Sequence, residues 1–245
     1  MLFNKKYDLI FSIGEACSCT EVLRKSRLQF YSYPFDWLFG SSFLGRSKIL
    51  TCDIANFIKK DDLEFSYEER SISCNAYYNH STDITFNHDF KKDIPFDEAY
   101  IQVKQKYDRR INRLLKHIEK SENVLVVYIQ TPNNKKELSR EELLEGYNIL
   151  KEKFGEKINL LYLYCDSTRN LANCIEVNLN KNVKCIKYDY GAHNVDFPFV
   201  VNKKMLLPIF NKLKISNKFI TNINKLDLFT YKLKIFFTGE IWKNL

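Results

Sequence analysis

Glycine and proline are scarce, seven and five residues out of 245. That scarcity excludes collagen-like, linker-rich and low-complexity organisation. No run approaches the eighteen or so apolar residues that a membrane helix needs. The start, Met1-Leu2-Phe3-Asn4-Lys5-Lys6, carries no apolar stretch of signal-peptide length before the first strand. Seven cysteines are an odd number, scattered without short pairs around a metal, so neither a disulfide framework nor a metal centre is indicated. These absences read as a reduced, cytoplasmic protein without a metal. Also missing are an Asp-x-Asp metal motif and a Gly-rich phosphate loop. No helix-turn-helix, zinc-knuckle or aromatic RNA-binding signature accompanies the net charge of +8, so nucleic acid is not an expected partner. The lysines are spread along the chain as a solvated surface.

What is present is a core. With 45% hydrophobic and 15% aromatic residues, the chain suffices for one packed domain, assigned to residues 1–213. Residues 214–245 form a basic, aromatic extension with Phe219, Phe229, Tyr231, Phe236, Phe237 and Trp242. Such a segment packs on its own domain, or contacts a membrane surface or a partner such as a glycosyltransferase. The latter would make the protein peripheral at the inner membrane.

Apolar runs at Leu9–Ile13, Asn123–Ile129, Ile158–Tyr164 and Val183–Tyr188 read as buried strands. Helical patterns lie between them, at about Ser47–Lys59, Glu98–Lys120 and Ser139–Phe154, with a last helix from about Val200 to Leu213. Further helical potential lies at Ser167–Ile175. Ser139 with Glu142 has capping-box spacing, and Gly155 follows the helix it opens. The alternation predicts an α/β fold, a mainly parallel sheet flanked by helices, with an irregular insertion around residues 61–97. That insertion reads as an antiparallel hairpin or a lid. Loops at the carboxyl ends of the strands should converge on one site.

The first of those loops holds Gly14 and Cys17. Ser18 and Glu21 have capping-box spacing, which predicts a helix over Cys19–Lys25 and puts Cys17 at its mouth. There the helix dipole would lower the thiol pKa towards neutrality, and free N–H groups could hold an oxyanion. This suits a nucleophile; the plainer alternative is a small residue packed at a tight turn. A base must come from four histidines. His117 reads as a surface residue or helix-dipole partner, and His80 lies in an unremarkable loop. His88, beside Asp89, and His193, three residues before Asp196, could each accept the thiol proton.

The segments Ser12-Ile13-Gly14-Glu15-Ala16-Cys17, Pro34-Phe35-Asp36-Trp37, Asn87-His88-Asp89-Phe90 and Lys106-Tyr107-Asp108-Arg109-Arg110-Ile111 occur in this order. In that series the chain resembles the uncharacterised bacterial family labelled "putative papain-like cysteine peptidase", over roughly residues 7–190. The resemblance implies Cys17 as nucleophile and favours His88 over His193 as base. It makes Asp36 a candidate to orient the histidine, and Trp37, Gly14 and Asp89 candidates for the substrate site. Arg109 and Arg110 would bind a phosphate or carboxylate, or simply pair with a neighbouring acid. Genes of this family are often found among surface-polysaccharide functions, which implies a glycan or acyl substrate. Acyl transfer or ester or thioester hydrolysis is then the expected reaction, and an acyl-coenzyme A donor would account for basic residues nearby. The competing expectation is a non-catalytic module that binds a glycan or nucleotide. A papain-like fold places the nucleophile on a long helix and the histidine on an antiparallel sheet, whereas the periodicity here predicts a nucleophile after the first strand of a parallel sheet.

Overall fold

A computed structural model describes residues 2–68, 73–130, 136–166, 175–189 and 203–218. The chain runs β1 (Lys6–Tyr7), β2 (Leu9–Ser12), α1 (Cys17–Lys25), β3 (Phe39–Gly40), α2 (Phe43–Cys52), β4 (Leu63–Glu68), β5 (Cys74–Asn79) and β6 (Ile84–Lys91). It continues through α3 (Phe96–Lys120), β7 (Val124–Gln130), α4 (Arg140–Phe154), β8 (Ile158–Asp166), β9 (Ile175–Asn178), β10 (Val183–Asp189), α5 (Lys203–Phe210) and β11 (Lys214–Ile215).

The predicted α/β sheet is there. Its strand order is β2-β7-β8-β10-β9, parallel throughout except for the edge strand β9, which runs antiparallel to β10. Alternate residues of each strand point to opposite faces, and both faces are dry. Val124, Val126 and Tyr128 of β7 face a core built with α2, α3 and α4. Leu125, Val127 and Ile129 face a second core with Val22 and Leu23 of α1 and Leu206, Ile209 and Phe210 of α5. Burial on both sides explains why these strands read as continuous apolar runs.

The insertion supplies three strands of a second, antiparallel sheet, ordered β3-β6-β5-β4, to which β3 adds the edge. Ile84, Phe86 and Phe90 of β6 join the first core, where Phe86 meets Tyr107 of α3 edge-on at 5.3 Å between ring centres. Helix α3 therefore packs against both sheets. Its apolar stripe of Tyr107, Ile111, Leu114 and Ile118 is buried as the periodicity predicts, and it starts at Phe96.

Several element bounds differ from the sequence reading. Helix α1 begins at Cys17, two residues early, with Ala16 as N-cap and no side-chain capping bond; Glu21 pairs instead with Lys25 at 2.5 Å. The helix expected at 47–59 is α2, which starts at Phe43, where Ser42 caps it by accepting from Gly45 N, and ends at Cys52; Ile54–Asn56 and Lys60–Asp62 form short 3-10 turns instead. Edge strand β9 was not foreseen; it starts at Ile175, the last residue of the stretch given helical potential, and the rest of that stretch, 167–174, lies outside the described residues. By contrast the Ser139–Glu142 capping box is present in both directions, at 3.1 and 2.7 Å. The boundary placed after residue 213 falls just before β11, which pairs with β1, and Ser216 then hydrogen-bonds Tyr7 O and Asp8. Residues 219–245 lie outside the described residues. Among the described residues no helix is long and apolar enough to cross a membrane.

Candidate active site

The turn that carries Cys17 follows β2 directly. Ile13 N and Glu15 N continue the ladder to Val127 O and Ile129 O of β7, so the turn stays bound to the sheet as it leaves the strand. Gly14 is there for space: a Cβ would stand 2.3 Å from Cys19 Cβ and 2.8 Å from its sulfur. That close approach seats the first turn of α1 on the sheet, with Cys19 fully buried. Cys17 is the first residue of the helix, half-buried, where backbone N–H groups lack intrahelical partners.

His88 comes from the other sheet. Asn75 pairs with Phe90 and Tyr77 with Phe86, so three residues of β6, Asn87, His88 and Asp89, stand opposite the single Ala76. A bulge of this kind re-aims side chains, and such bulges concentrate beside active sites. Here it leaves His88 exposed while Asp89 turns inward, its side chain 5% exposed. Asp89 is gripped by α3, with Lys106 Nζ on one carboxylate oxygen and Tyr107 OH on the other at 2.9 Å. Burial alone would raise the Asp89 carboxyl, but Lys106, Arg110 and Tyr107 outweigh it and hold it below the ordinary carboxylate range. The His-Asp-Phe and Lys-Tyr-x-Arg-Arg segments are thus two halves of one device that fixes the bulge.

Cys17 Sγ lies 3.7 Å from His88 Nε2, within hydrogen-bonding reach for sulfur. The thiol is not poised as an anion. Desolvation pushes it up to about 12, against its own backbone N–H and the Arg46 charge, which pull it down; Asp89 and Glu21 add to the rise. The expectation of a lowered pKa is therefore reversed, because the helix-start effect is smaller than the cost of taking charge out of water.

The remaining candidates fall into place as follows. Asp36 is fully buried and accepts from Thr20 Oγ1 (2.8 Å), Gln29 Nε2 (2.6 Å) and Tyr33 N (2.8 Å). These bonds tie the loop after α1 to the helix, and none of them reaches His88. Trp37 is half-buried beneath Arg24, whose guanidinium lies 5.6 Å from the ring, and has φ +68°. A bulky residue in that region is strained. Arg109 is exposed, whereas Arg110 stacks on Tyr107 at 5.3 Å. Its charge acts on Asp89 and Asp36. His193 and Asp196 lie outside the described residues. His80 pairs with Glu64 on the surface. His117 is no dipole partner: it accepts or donates to Tyr33 OH at 2.8 Å, and burial, with Arg113 and Lys120, lowers it to about 4.

One residue near the site escaped the sequence reading. Arg46 of α2 is completely buried and donates to the carbonyls of Gly14, Glu15 and Gly40. The only cue is a cation on the apolar face shared by Phe43 and Leu50, at i+3 and i+7 spacing. Among the described residues no group of three or more His, Cys, Asp or Glu could hold a metal ion.

A family model described as "Putative papain-like cysteine peptidase" matches residues 8–155. The match spans β2 to the end of α4, and so includes Cys17, His88 and both motif halves around Asp89. No curated protein and no solved structure matches the chain.

Proposed function

Because the chain belongs to the family of putative papain-like cysteine peptidases, we propose that it is a cysteine-dependent enzyme that cleaves or transfers an acyl group, with Cys17 as nucleophile and His88 as base. The observation that carries this is the 3.7 Å approach of Cys17 Sγ to His88 Nε2 across two different sheets. Side chains separated by 71 positions meet at a helix start and a bulge, two places where backbone is shaped for chemistry.

In the reaction, His88 takes the thiol proton as the sulfur attacks an acyl carbonyl. The S–C bond forms, the carbonyl electron pair moves to oxygen, and N–H groups at the start of α1 hold that oxyanion. Collapse breaks the bond to the leaving group, which receives the proton from His88. Water or a hydroxyl, deprotonated by His88, then attacks the thioester and releases the acyl product and the Cys17 thiol. A neutral resting thiol fits this sequence, since the proton moves only as the carbonyl is attacked. Water as acceptor makes a hydrolase; a sugar hydroxyl, with an acyl-coenzyme A donor, makes an acyltransferase. The surface-glycan setting rests on the family resemblance alone, and a peripheral membrane or glycosyltransferase contact would come from the segment beyond residue 218.

A second reading has one observation in its favour: a thiol raised to about 12 is also what an inert, packed cysteine shows. In that case the protein is a non-catalytic binding module. Incubation with p-nitrophenyl acetate followed by peptide mass mapping separates the two. The enzyme reading expects acetylation of Cys17, absent in Cys17→Ser and slowed in His88→Ala. Release of p-nitrophenolate that depends on Cys17, without an accumulated acetyl group, is a hydrolase whose thioester turns over; neither Cys17-dependent release nor an acetyl group on Cys17 of the folded protein gives the binding module.

A further inference from the structure

Arg46 joins the two halves of the site. Its Nη1 donates to Gly14 O at 2.5 Å and its Nη2 to Glu15 O at 3.3 Å, both in the turn that delivers Cys17. Nη2 and Nε donate to Gly40 O at 2.7 and 3.0 Å. Gly40 belongs to β3, which pairs with β6, the strand that carries His88, through Gly40↔Ile84 and Phe39↔Thr85. Gly40 N also donates to Glu15 O at 3.2 Å, which closes the link between turn and strand. The segment is held in an unusual shape, with positive φ at Trp37, Gly40 and Ser41, and a Cβ on Gly40 would stand 2.5 Å from Asp83 O.

A guanidinium wholly removed from water is expensive to bury. A structural tie between a turn and a two-residue strand could be made by neutral groups, as Gln29 does between Ser12 N and Asp36 nearby. A planar fork bonded to three carbonyls does more: it fixes their mutual orientation. Each carbonyl it holds also turns the following peptide N–H the opposite way, and Glu15 N accordingly faces Ile129 O of β7. The positive charge then sits at the turn that leads into α1, close enough to Cys17 to favour its anion.

We propose that Arg46 is a positioning residue for the Cys17–His88 pair, setting their separation by clamping the nucleophile turn to the sheet of the base. This rests on the reading of Cys17 and His88 as nucleophile and base. It makes the dyad a property of four elements, α1, α2, β3 and β6, rather than of two residues.

The test is a double-mutant cycle on Cys17 alkylation by iodoacetamide, read by mass mapping at pH 7 to 9. His88→Ala should slow the wild-type rate at Cys17 by about tenfold or more. In Arg46→Gln the rate should already be slow, and adding His88→Ala should change it less than about twofold. Arg46→Lys, which keeps the charge and the stem but loses the fork, should fall between. Circular dichroism checks that each variant is folded. A folded Arg46→Gln protein with the full His88 dependence of the wild type overturns the assignment. So does loss of folding in both Arg46 variants, which makes the residue a structural one. A wild-type Cys17 that does not react until denaturation removes the enzyme reading itself, and the role assigned to Arg46 falls with it.

Discussion

Cys17 reaches its histidine as a neutral thiol, and that sets how its reactivity must depend on pH. With the thiol raised to about 12, the thiolate fraction grows tenfold for each pH unit across the neutral range. Alkylation of Cys17 in His88→Ala should therefore rise log-linearly with unit slope from pH 7 to 9, with no plateau near pH 6. The wild type should exceed it most at the low end, where a base contributes and free thiolate does not. A plateau near pH 6 in the wild type would instead mean a preformed thiolate–imidazolium pair. Gly14 gives a second prediction at this scale. The Gly14→Ala methyl would collide with Cys19 Cβ at 2.3 Å, with a cost of about 3 kcal/mol in urea unfolding. Cys19→Ala should not rescue it, because the colliding atom remains.

At the scale of elements, the bulge of β6 depends on Asp89. Asp89→Asn leaves Lys106 without its partner and weakens the bond from Tyr107 OH, so a loss of about 2 kcal/mol is expected. The Cys17 alkylation rate should fall as well, since His88 is the adjacent residue. Chemical denaturation and mass mapping on the same sample would show both. The contact of α2 with α4 is equally specific: a Cβ at Gly146 would stand 2.4 Å from the buried Phe43 ring. Gly146→Ala should cost about 2 kcal/mol, and Phe43→Leu in the same chain should recover part of it.

These elements also mark what could be read from the sequence. The strands of the parallel sheet were legible because both faces are buried, which leaves an unbroken apolar run, and α4 was legible because its capping box is purely local. Cys17 and His88 could be named as candidates from their turn and their motif. Their distance could not, because it depends on a bulge, and a bulge is a mismatch between two strands that neither one encodes. Ser18–Glu21 misled for the opposite reason: its spacing is right, but Glu21 has Lys25 one turn on. Arg46 was invisible because its partners are backbone carbonyls, which have no residue type. The antiparallel second sheet meets half of what the family label implies, since His88 lies on an antiparallel strand; Cys17 still follows β2 of the parallel sheet and opens a helix of only nine residues.

For the whole molecule, pH dependence follows from groups that tie distant parts together. Asp8 accepts from Glu122 N, Asn123 N and Ser216 Oγ, so it joins β2, the start of β7 and the segment after β11. Burial would raise this carboxyl, yet the hydrogen bonds and Lys218 together hold it below its ordinary value. Asp8 and Asp89 thus contribute stability that is present above about pH 4 and lost as pH falls towards their folded values. On the alkaline side the buried thiols of Cys19 and Cys185, pushed up to about 12 by desolvation, work the other way. Their contribution is complete below about pH 8.5, where the unfolded thiols are still protonated, and is lost as pH rises above it. His117, lowered to about 4 by burial, adds a loss that begins as pH falls below about 6.5, where the unfolded histidine takes up its proton and the folded one does not. Unfolding free energy should therefore be flat only between about pH 7 and 8 and fall on both sides. Asp8→Asn should lower the plateau and flatten the acid limb, which a urea series at each pH would reveal.

The most direct test of the account is the rate of iodoacetamide labelling at Cys17, resolved by mass from the exposed Cys52, in wild type and His88→Ala at pH 7. A Cys17 that reacts in the folded protein, and about tenfold or more slowly once His88 is gone, is the predicted result. Equal rates in the two proteins, or no reaction at Cys17 before denaturation, would contradict it.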